Sequence, residues 1–327
     1  MFPSRWTCIL LAVAAPTAAL AQHASNEPAS AYPSRVIRIV VPLTAGGPTD
    51  ILARIIAQPL AKRLGQAVVI DNKPGAGGNI GADAVAKSPP DGYTLFLGTS
   101  GPLSINPSLY GKLPFDPAKD FTPIIAIASA PFVVTVNPKV PARTLAELVQ
   151  LAKREPGKLN AGSVSGSAAH LATELFKSAS GVEFAHIPYK GAAPATNDMI
   201  AGQIELSFAS TPGVVPQIRA GTLRALAVTS PKRIPQLPDV PTVAETMPGF
   251  DASVWYGLVA PAHTPPEIIQ RLNREVTAVL QDPQTRQQRV SGDVTPTGST
   301  PEQFGRFIEA EAAKWGAIVK AKGIRAD

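Results

Sequence analysis

A two-domain α/β fold is what the patterning of this chain predicts, on three observations. β-Branched runs of strand length alternate with helix-length amphipathic segments, which means βαβ units and a mainly parallel sheet. Gly- and Ser-rich turns stand where several of those strands pass into helices. Nearly half of the 34 prolines gather in two windows, Pro102–Pro141 and Pro231–Pro266. Dense proline disfavours helix interiors and central strands, so both windows are expected to be connection, edge strand or turn. They bracket a βα-rich block from about 142 to 230. Two readings stand: crossings into and out of a second domain, or two long loops in one large domain. The length of 327 residues favours the crossings.

The elements follow in order. A cationic start (Met1 to Trp6), an apolar stretch (Thr7 to Leu20) and the Ala19-Leu20-Ala21 site predict a secretory signal cut after Ala21. The stretch is shorter than the ~20 residues a spanning helix needs, so an exported, periplasmic protein is expected. Residues 22–34 are small and polar and read as a flexible leader. Val36 to Val41 is the first strand, Leu43 to Pro48 a Gly-rich turn, and Ile51/Leu52, Ile55/Ile56 and Leu60 one face of a helix that Pro59 should kink or split. Ala67–Ile70 and Tyr93–Leu97 are the next strands. Further strands are expected at Leu159–Ala161, Phe184–Ile187, Ile204–Phe208 and Leu223–Val228, with helices near 168–179, 192–202 and 212–220 between them. Capping boxes are expected at Thr144/Glu147, Thr264/Glu267 and Thr300/Gln303. In the last helix Phe304, Phe307/Ile308, Trp315 and Ile318/Val319 form a stripe read as core packing.

Composition excludes several functions. Thirty Lys and Arg nearly balance 24 Asp and Glu, without a basic cluster, which argues against a nucleic-acid partner. The single cysteine, Cys8, lies inside the expected signal, so there is no disulfide partner and no Cys-based metal site. His23 is in the leader and His263 in a proline-flanked loop. His186 reads as a satisfied core histidine, and the i, i+4 pair His170/Glu174 has no third metal ligand nearby. Gly162-Ser163-Val164-Ser165-Gly166 fails as a nucleophile elbow because its central residue is Val164. Gly75-Ala76-Gly77-Gly78-Asn79-Ile80 fails as a dinucleotide fingerprint because Ile80 stands at the third glycine position. No catalytic residue, cofactor or metal is therefore expected.

Three strand-to-helix turns remain. Leu43, Thr44, Ala45, Gly46 and Gly47 lead to Asp50; Thr99 and Ser100 follow the third strand; Ser163, Ser165 and Ser167 precede the helix holding His170. In open α/β sheets ligands bind outside the carboxyl ends of strands, where helix N-termini offer N–H groups and partial positive charge. That is equipment for a carboxylate without a catalytic base. Asp50 cuts slightly against an anion site in its turn, since it can cap its own helix.

The same residues carry a family resemblance. Tyr32-Pro33-Ser34, Val41-Pro42…Ala45-Gly46-Gly47…Asp50, Asp71 to Gly81, Asp91-Gly92-Tyr93-Thr94 and Asn106-Pro107 appear in order. Pro188-Tyr189-Lys190-Gly191, Arg224 to Thr229 and Leu237 to Thr242 follow. The chain resembles the substrate-binding proteins of tripartite tricarboxylate transporters, the Bug (Bordetella uptake gene) family, over roughly Tyr32 to Ile324. The resemblance implies a periplasmic-binding-protein fold of the second type: two α/β lobes, two crossing segments and a ligand cleft. It places a signal at 1–21, the first lobe at 22–125 and 245–327, and the second lobe at 126–244. It implies capture of a small mono-, di- or tricarboxylate by the turns above together with Ser210, and delivery to membrane permease subunits. Two departures stand out. The second-lobe turn is more Ser-rich than the family's S-A-G-x-G-S/T-x-x-H, and Ala209-Ser210-Thr211-Pro212 lacks an aspartate that many members carry. The missing aspartate points to a plain carboxylate rather than an amino acid. A sensory accessory protein is the alternative function, and an exported hydrolase a weaker one.

Overall fold

The computed structural model describes residues 31–46, 48–189, 191–291, 295–296 and 298–325. The expected signal, its cut after Ala21, Cys8, His23 and most of the expected leader lie outside them, as do Gly47 and Lys190. The first lobe opens with β1 (Ile37–Val41), α1 (Pro48–Leu64), β2 (Val68–Asn72), α2 (Asn79–Ala86), β3 (Thr94–Thr99), α3 (Asn106–Leu109) and β4 (Phe121–Ala130). A π-helical turn over Gly101–Ile105 joins β3 to α3. The second lobe holds β5 (Phe132–Val136), α4 (Leu145–Arg154), β6 (Asn160–Ser163), α5 (Ala168–Ser180) and β7 (Ala185–Pro188). It continues with α6 (Ala192–Ala201), β8 (Leu206–Ser210), α7 (Thr211–Arg219) and β9 (Arg224–Val228). The chain returns to the first lobe through β10 (Val254–Pro261), α8 (Pro266–Gln281), α9 (Pro283–Ser291), β11 (Thr295–Pro296) and α10 (Pro301–Lys322).

Each lobe has one sheet, in the order β11-β4-β10-β3-β1-β2 and β7-β6-β8-β5-β9. β1 pairs in parallel with β2 (Ile39 opposite Ile70) and β3 (Ile39 opposite Leu95), and β6 in parallel with β7 and β8. The expectation of mainly parallel sheets is not met. β10 runs antiparallel to β3 and β4, and β5 antiparallel to β8 and β9. The physical reason is connectivity: a strand arriving from the other lobe enters against the direction that right-handed βαβ crossovers impose on its neighbours.

The proline windows are corrected in the same way. The first contains β4 and β5, joined only by Pro131, and the second contains β10; all three are interior strands. The prolines sit beside these strands or at irregularities in them. Pro123 pairs with Val259 where the β10–β4 register shifts, so the ladder already yields where the ring lacks an N–H.

Packing also overrides local signals in α1. Pro59 does not split it. Leu52, Ile56 and Leu60 are each at most 2% exposed and hold the helix on the sheet across the hydrogen bond the ring removes, while Ile51 turns outward. The Thr144/Glu147 and Thr300/Gln303 capping boxes form, but Thr264/Glu267 does not. There α8 starts at Pro266, and the Thr264 hydroxyl donates to the Pro261 carbonyl instead. A box at Thr242/Glu245 went unexpected.

α10 ties the two lobes together. Its Phe304 packs in the first-lobe core with Trp255, so closely that a Cβ at Gly257 on β10 would collide with the Phe304 ring. Its Trp315 and Val319 join the second-lobe core with Phe176, Phe208 and Phe250. The indole N–H groups of Trp255 and Trp315 both donate to the buried Glu311 carboxylate, at 3.1 and 2.9 Å. Of the expected stripe, Phe307 is the member left outside, at 38% exposed.

Candidate ligand-binding site

In the second lobe β6 ends at Ser163 and α5 begins at Ala168, with the N-cap Ser167 accepting from the His170 N–H. Gly166 takes φ 71°, a conformation that favours glycine, and its N–H donates to His170 Nδ1 at 3.1 Å. His170 is thus fastened inside its own helix start, 9% exposed, with Nδ1 as acceptor and the proton on Nε2. Burial, then the neighbouring His186, lowers its pKa to about 4. The two imidazoles stack with centroids 3.9 Å apart and planes within 12°. His186 is lowered too, first by burial, and its Nε2 lies 2.9 Å from Ser163 Oγ. Glu174 is engaged by Lys177 at 2.8 Å. Among the described residues no cluster of three or more His, Cys, Asp or Glu could hold a metal ion.

A cavity of about 590 Å³ opens beside this turn. Three helix starts reach it: α5 through Ser167, Ala168 and Ala169, α6 through Ala192, Ala193 and Thr196, and α7 through Ser210 and Gly213. α6 is preceded by Gly191, which has no side chain to cap it, and Ser210 before α7 makes no capping bond. Their first-turn N–H groups are therefore left without side-chain caps beside the cavity, each helix bringing roughly half a positive charge. Polar lining comes from Ser163, Ser207, Asn197 and Gln217, and apolar lining from Phe132, Phe208 and Val254. Among the described residues no charged side chain lines the cavity. Ser207 donates to the Gly162 carbonyl, and the buried Thr211 to the Pro131 carbonyl, which fastens α7 to the first crossing.

The first-lobe turn is built differently. Leu43, Thr44, Ala45 and Gly46 are exposed, and Gly47 lies outside the described residues. Asp50 is buried and already occupied: it accepts from Gly46 N–H at 2.9 Å and from Arg54 Nε at 2.9 Å and Nη2 at 3.1 Å. The Arg54 hydrogen bonds, helped by Gly46 and Asn72, hold its carboxyl at about 2. Thr99 and Ser100 are buried at the end of β3.

Of the residues singled out in the sequence, Ser163, Ser167 and Ser210 line the cavity together. Ser165 is exposed on the turn, His170 lies outside the lining, and none of the described first-lobe residues singled out reaches it. Unanticipated were Ser207, the α6 start and the crossing residues Phe132 and Val254. The α6 start had a readable signal: Gly191-Ala192-Ala193 after a strand is the same glycine-then-helix pattern as the other turns. A second cavity of about 400 Å³, on the first lobe, is lined by Phe121, Pro123, Ile269 and Ile308 with Glu302 and Glu309, a poor environment for an anion.

Comparison with known proteins agrees on one family. Residues 52–324 match the family described as the tripartite tricarboxylate transporter family receptor. The chain is 40% identical to the Bordetella pertussis protein BugT over 319 residues, 97% of this chain and 98% of BugT. An R. palustris protein solved with adipate is 42% identical with TM-score 0.76, covering 90% of this chain and 99% of that one. MatC from Rhodopseudomonas palustris, solved with bound malate, is 31% identical with TM-score 0.72, covering 88% and 100%.

Proposed function

The chain belongs to the tripartite tricarboxylate transporter receptor family of solute-binding proteins, and on that premise we propose that its solute is a small carboxylate held first by the second lobe. One observation carries the reading: three helix starts, two of them without side-chain caps, meet at a cavity whose described lining residues include no charged side chain. An anion there gains N–H donors and helix dipoles without meeting a fixed negative charge. With no carboxylate among the described lining residues, a ligand ammonium would find no partner there, which favours a plain mono- or dicarboxylate over an amino acid. The relatives solved with adipate and with malate support the same class.

The lobes would close by bending at two places: Pro131, where β4 passes directly into β5, and the return segment between Val228 and Val254. On this reading the boundaries expected at 125/126 and 244/245 move to those hinges. The first-lobe turn from Leu43 to Asp50, with Thr99 and Ser100, would then complete the site over the ligand. The protein works in the periplasm and hands the solute to the membrane subunits of a tripartite transporter. Among the described residues no helix is long and apolar enough to cross a membrane. The Ser163–His186 contact invites a hydrolase reading, but no carboxylate hydrogen bond orients His186 among the described residues, and Ser163 ends a strand rather than forming an elbow.

A thermal-shift series tests the proposal. Linear dicarboxylates from succinate to pimelate, with malate, should raise the melting temperature by mass action, and the corresponding neutral diamides should not. A shift with a diamide and with no carboxylate would overturn the anion reading. A tighter response to glutamate than to its deaminated analogue glutarate would overturn the preference against amino acids.

A further inference from the structure

Ser163 sits where a hydroxyl must choose a direction. It lines the cavity at the end of β6, and its Oγ is 2.9 Å from Nε2 of His186 on the neighbouring strand β7. A hydroxyl has one proton to donate. If Nε2 accepts it, Ser163 shows the cavity only lone pairs, which repel a carboxylate. If Nε2 carries its own proton and donates, the Ser163 proton is free to point into the cavity.

A carboxylate guest selects the second arrangement, because only there does Ser163 present it a proton. The stacked His170 ring fixes the plane of His186, and His170 is itself locked because Gly166 N–H occupies its Nδ1. The charged groups nearest the pair, Glu174 and Lys177 on α5, form an ion pair extended by Glu183 and by Lys322 on α10, so they oppose one another. No single charge forces the imidazoles into the cationic form.

We propose that His186 is a positioning residue whose Nε2–H turns the Ser163 hydroxyl into a donor aimed at the carboxylate of the bound solute. This rests on the carboxylate reading above. The same polarity removes the base that a nucleophilic serine would need, so Ser163 is a binding group and not a nucleophile.

The test uses calorimetric titration of the full chain with the dicarboxylate of the succinate-to-pimelate series that binds it best. A hydrogen bond to a charged group is worth about tenfold or more in affinity. Ser163→Ala should lose about that factor. His186→Phe, which keeps a ring to stack on His170 but has no donor, should lose as much, and the double variant should lose less than about twofold more. His186→Gln, whose amide can again donate toward Ser163, should recover most of the affinity. Two-bond proton–nitrogen NMR of the imidazoles should show His186 as the Nε2–H form in the liganded wild type. An Nδ1–H tautomer, wild-type affinity in His186→Phe, or losses that simply add would overturn the positioning role while leaving carboxylate binding intact. A wild type that binds none of the dicarboxylates overturns the carboxylate reading, and the positioning role falls with it.

Discussion

The two lobes solve the same strand-to-helix problem with opposite electrostatics. In the first, Asp50 supplies a carboxylate that takes up the Gly46 N–H and pairs with Arg54, so its turn carries a captive anion. In the second, α6 begins after a bare glycine and α7 after a serine that makes no cap, while α5 is capped by Ser167 and by a neutral imidazole. Helix N-termini attract negative charge wherever it comes from. A lobe that fills its own site gains rigidity, and a lobe that leaves its sites uncapped keeps them for a guest. On the proposed reading, the second lobe meets the anion first and the first lobe closes over it.

The largest effect should come from making the second lobe resemble the first. Ala193→Asp, in the first turn of α6, places a resident carboxylate beside the cavity where a ligand carboxylate would sit. Like charges in a desolvated site cost several kcal/mol, so carboxylate affinity should fall by at least about a hundredfold. The melting temperature should hold or rise, because an acid in the first helical turn is stabilising. Retained affinity measured by calorimetry would mean that the carboxylate sits elsewhere.

The converse change should cost stability and little initial binding. Asp50→Asn removes the captive charge while its amide oxygen can still accept from Gly46 N–H, and the weakened pairing with Arg54 should destabilise the fold by about 1–2 kcal/mol in chemical denaturation at pH 7. Arg54 is 57% exposed and can return to water, which keeps the cost at the low end. The carboxyl ionises at about 2 in the fold against an ordinary 3.8, so its contribution is complete above pH 4 and disappears as pH falls toward 2. The gap between wild type and variant should close over that interval. A constant gap would show that packing, not charge, holds Asp50.

What could be read in advance divides along the same line. Local features were legible: the βα alternation, the apolar face of α1, and the boxes at Thr144 and Thr300, each a matter of residues within one turn or one strand. Long-range pairing was not. The proline-rich windows concealed β4, β5 and β10, because a proline beside a strand looks like a proline that forbids one until the partner strand and its bulge are known. Strand direction was hidden for a related reason, since β5 and β10 are antiparallel only through the exchange of the chain between lobes. In the site, Ser163 and Ser167 could be picked out as small polar residues after a strand, and Ser210 only through the family resemblance. His186 could not be linked to Ser163, because their contact depends on β6 and β7 lying side by side. His170 was visible as an imidazole near a turn, but nothing local showed that its acceptor nitrogen was already taken by Gly166.

The smallest effect, silent at neutral pH, belongs to His170. His170 is neutral in the fold down to about pH 4, against an ordinary value of 6.5, because burial and His186 disfavour the imidazolium. The unfolded chain therefore takes up a proton between pH 6.5 and 4 that the folded chain refuses, and stability falls with pH across that window. His170→Asn can keep an acceptor for Gly166 N–H while removing the titrating ring. At pH 7.5 it should unfold within about 1 kcal/mol of wild type, the worth of one retained cap. Between pH 6.5 and 4 its stability should decline less steeply, with remaining slope belonging to His186, whose pKa burial also lowers. If the two slopes coincide, His170 is protonated in the fold and the second-lobe turn carries a cation, which would make the lobes differ in charge rather than in occupancy.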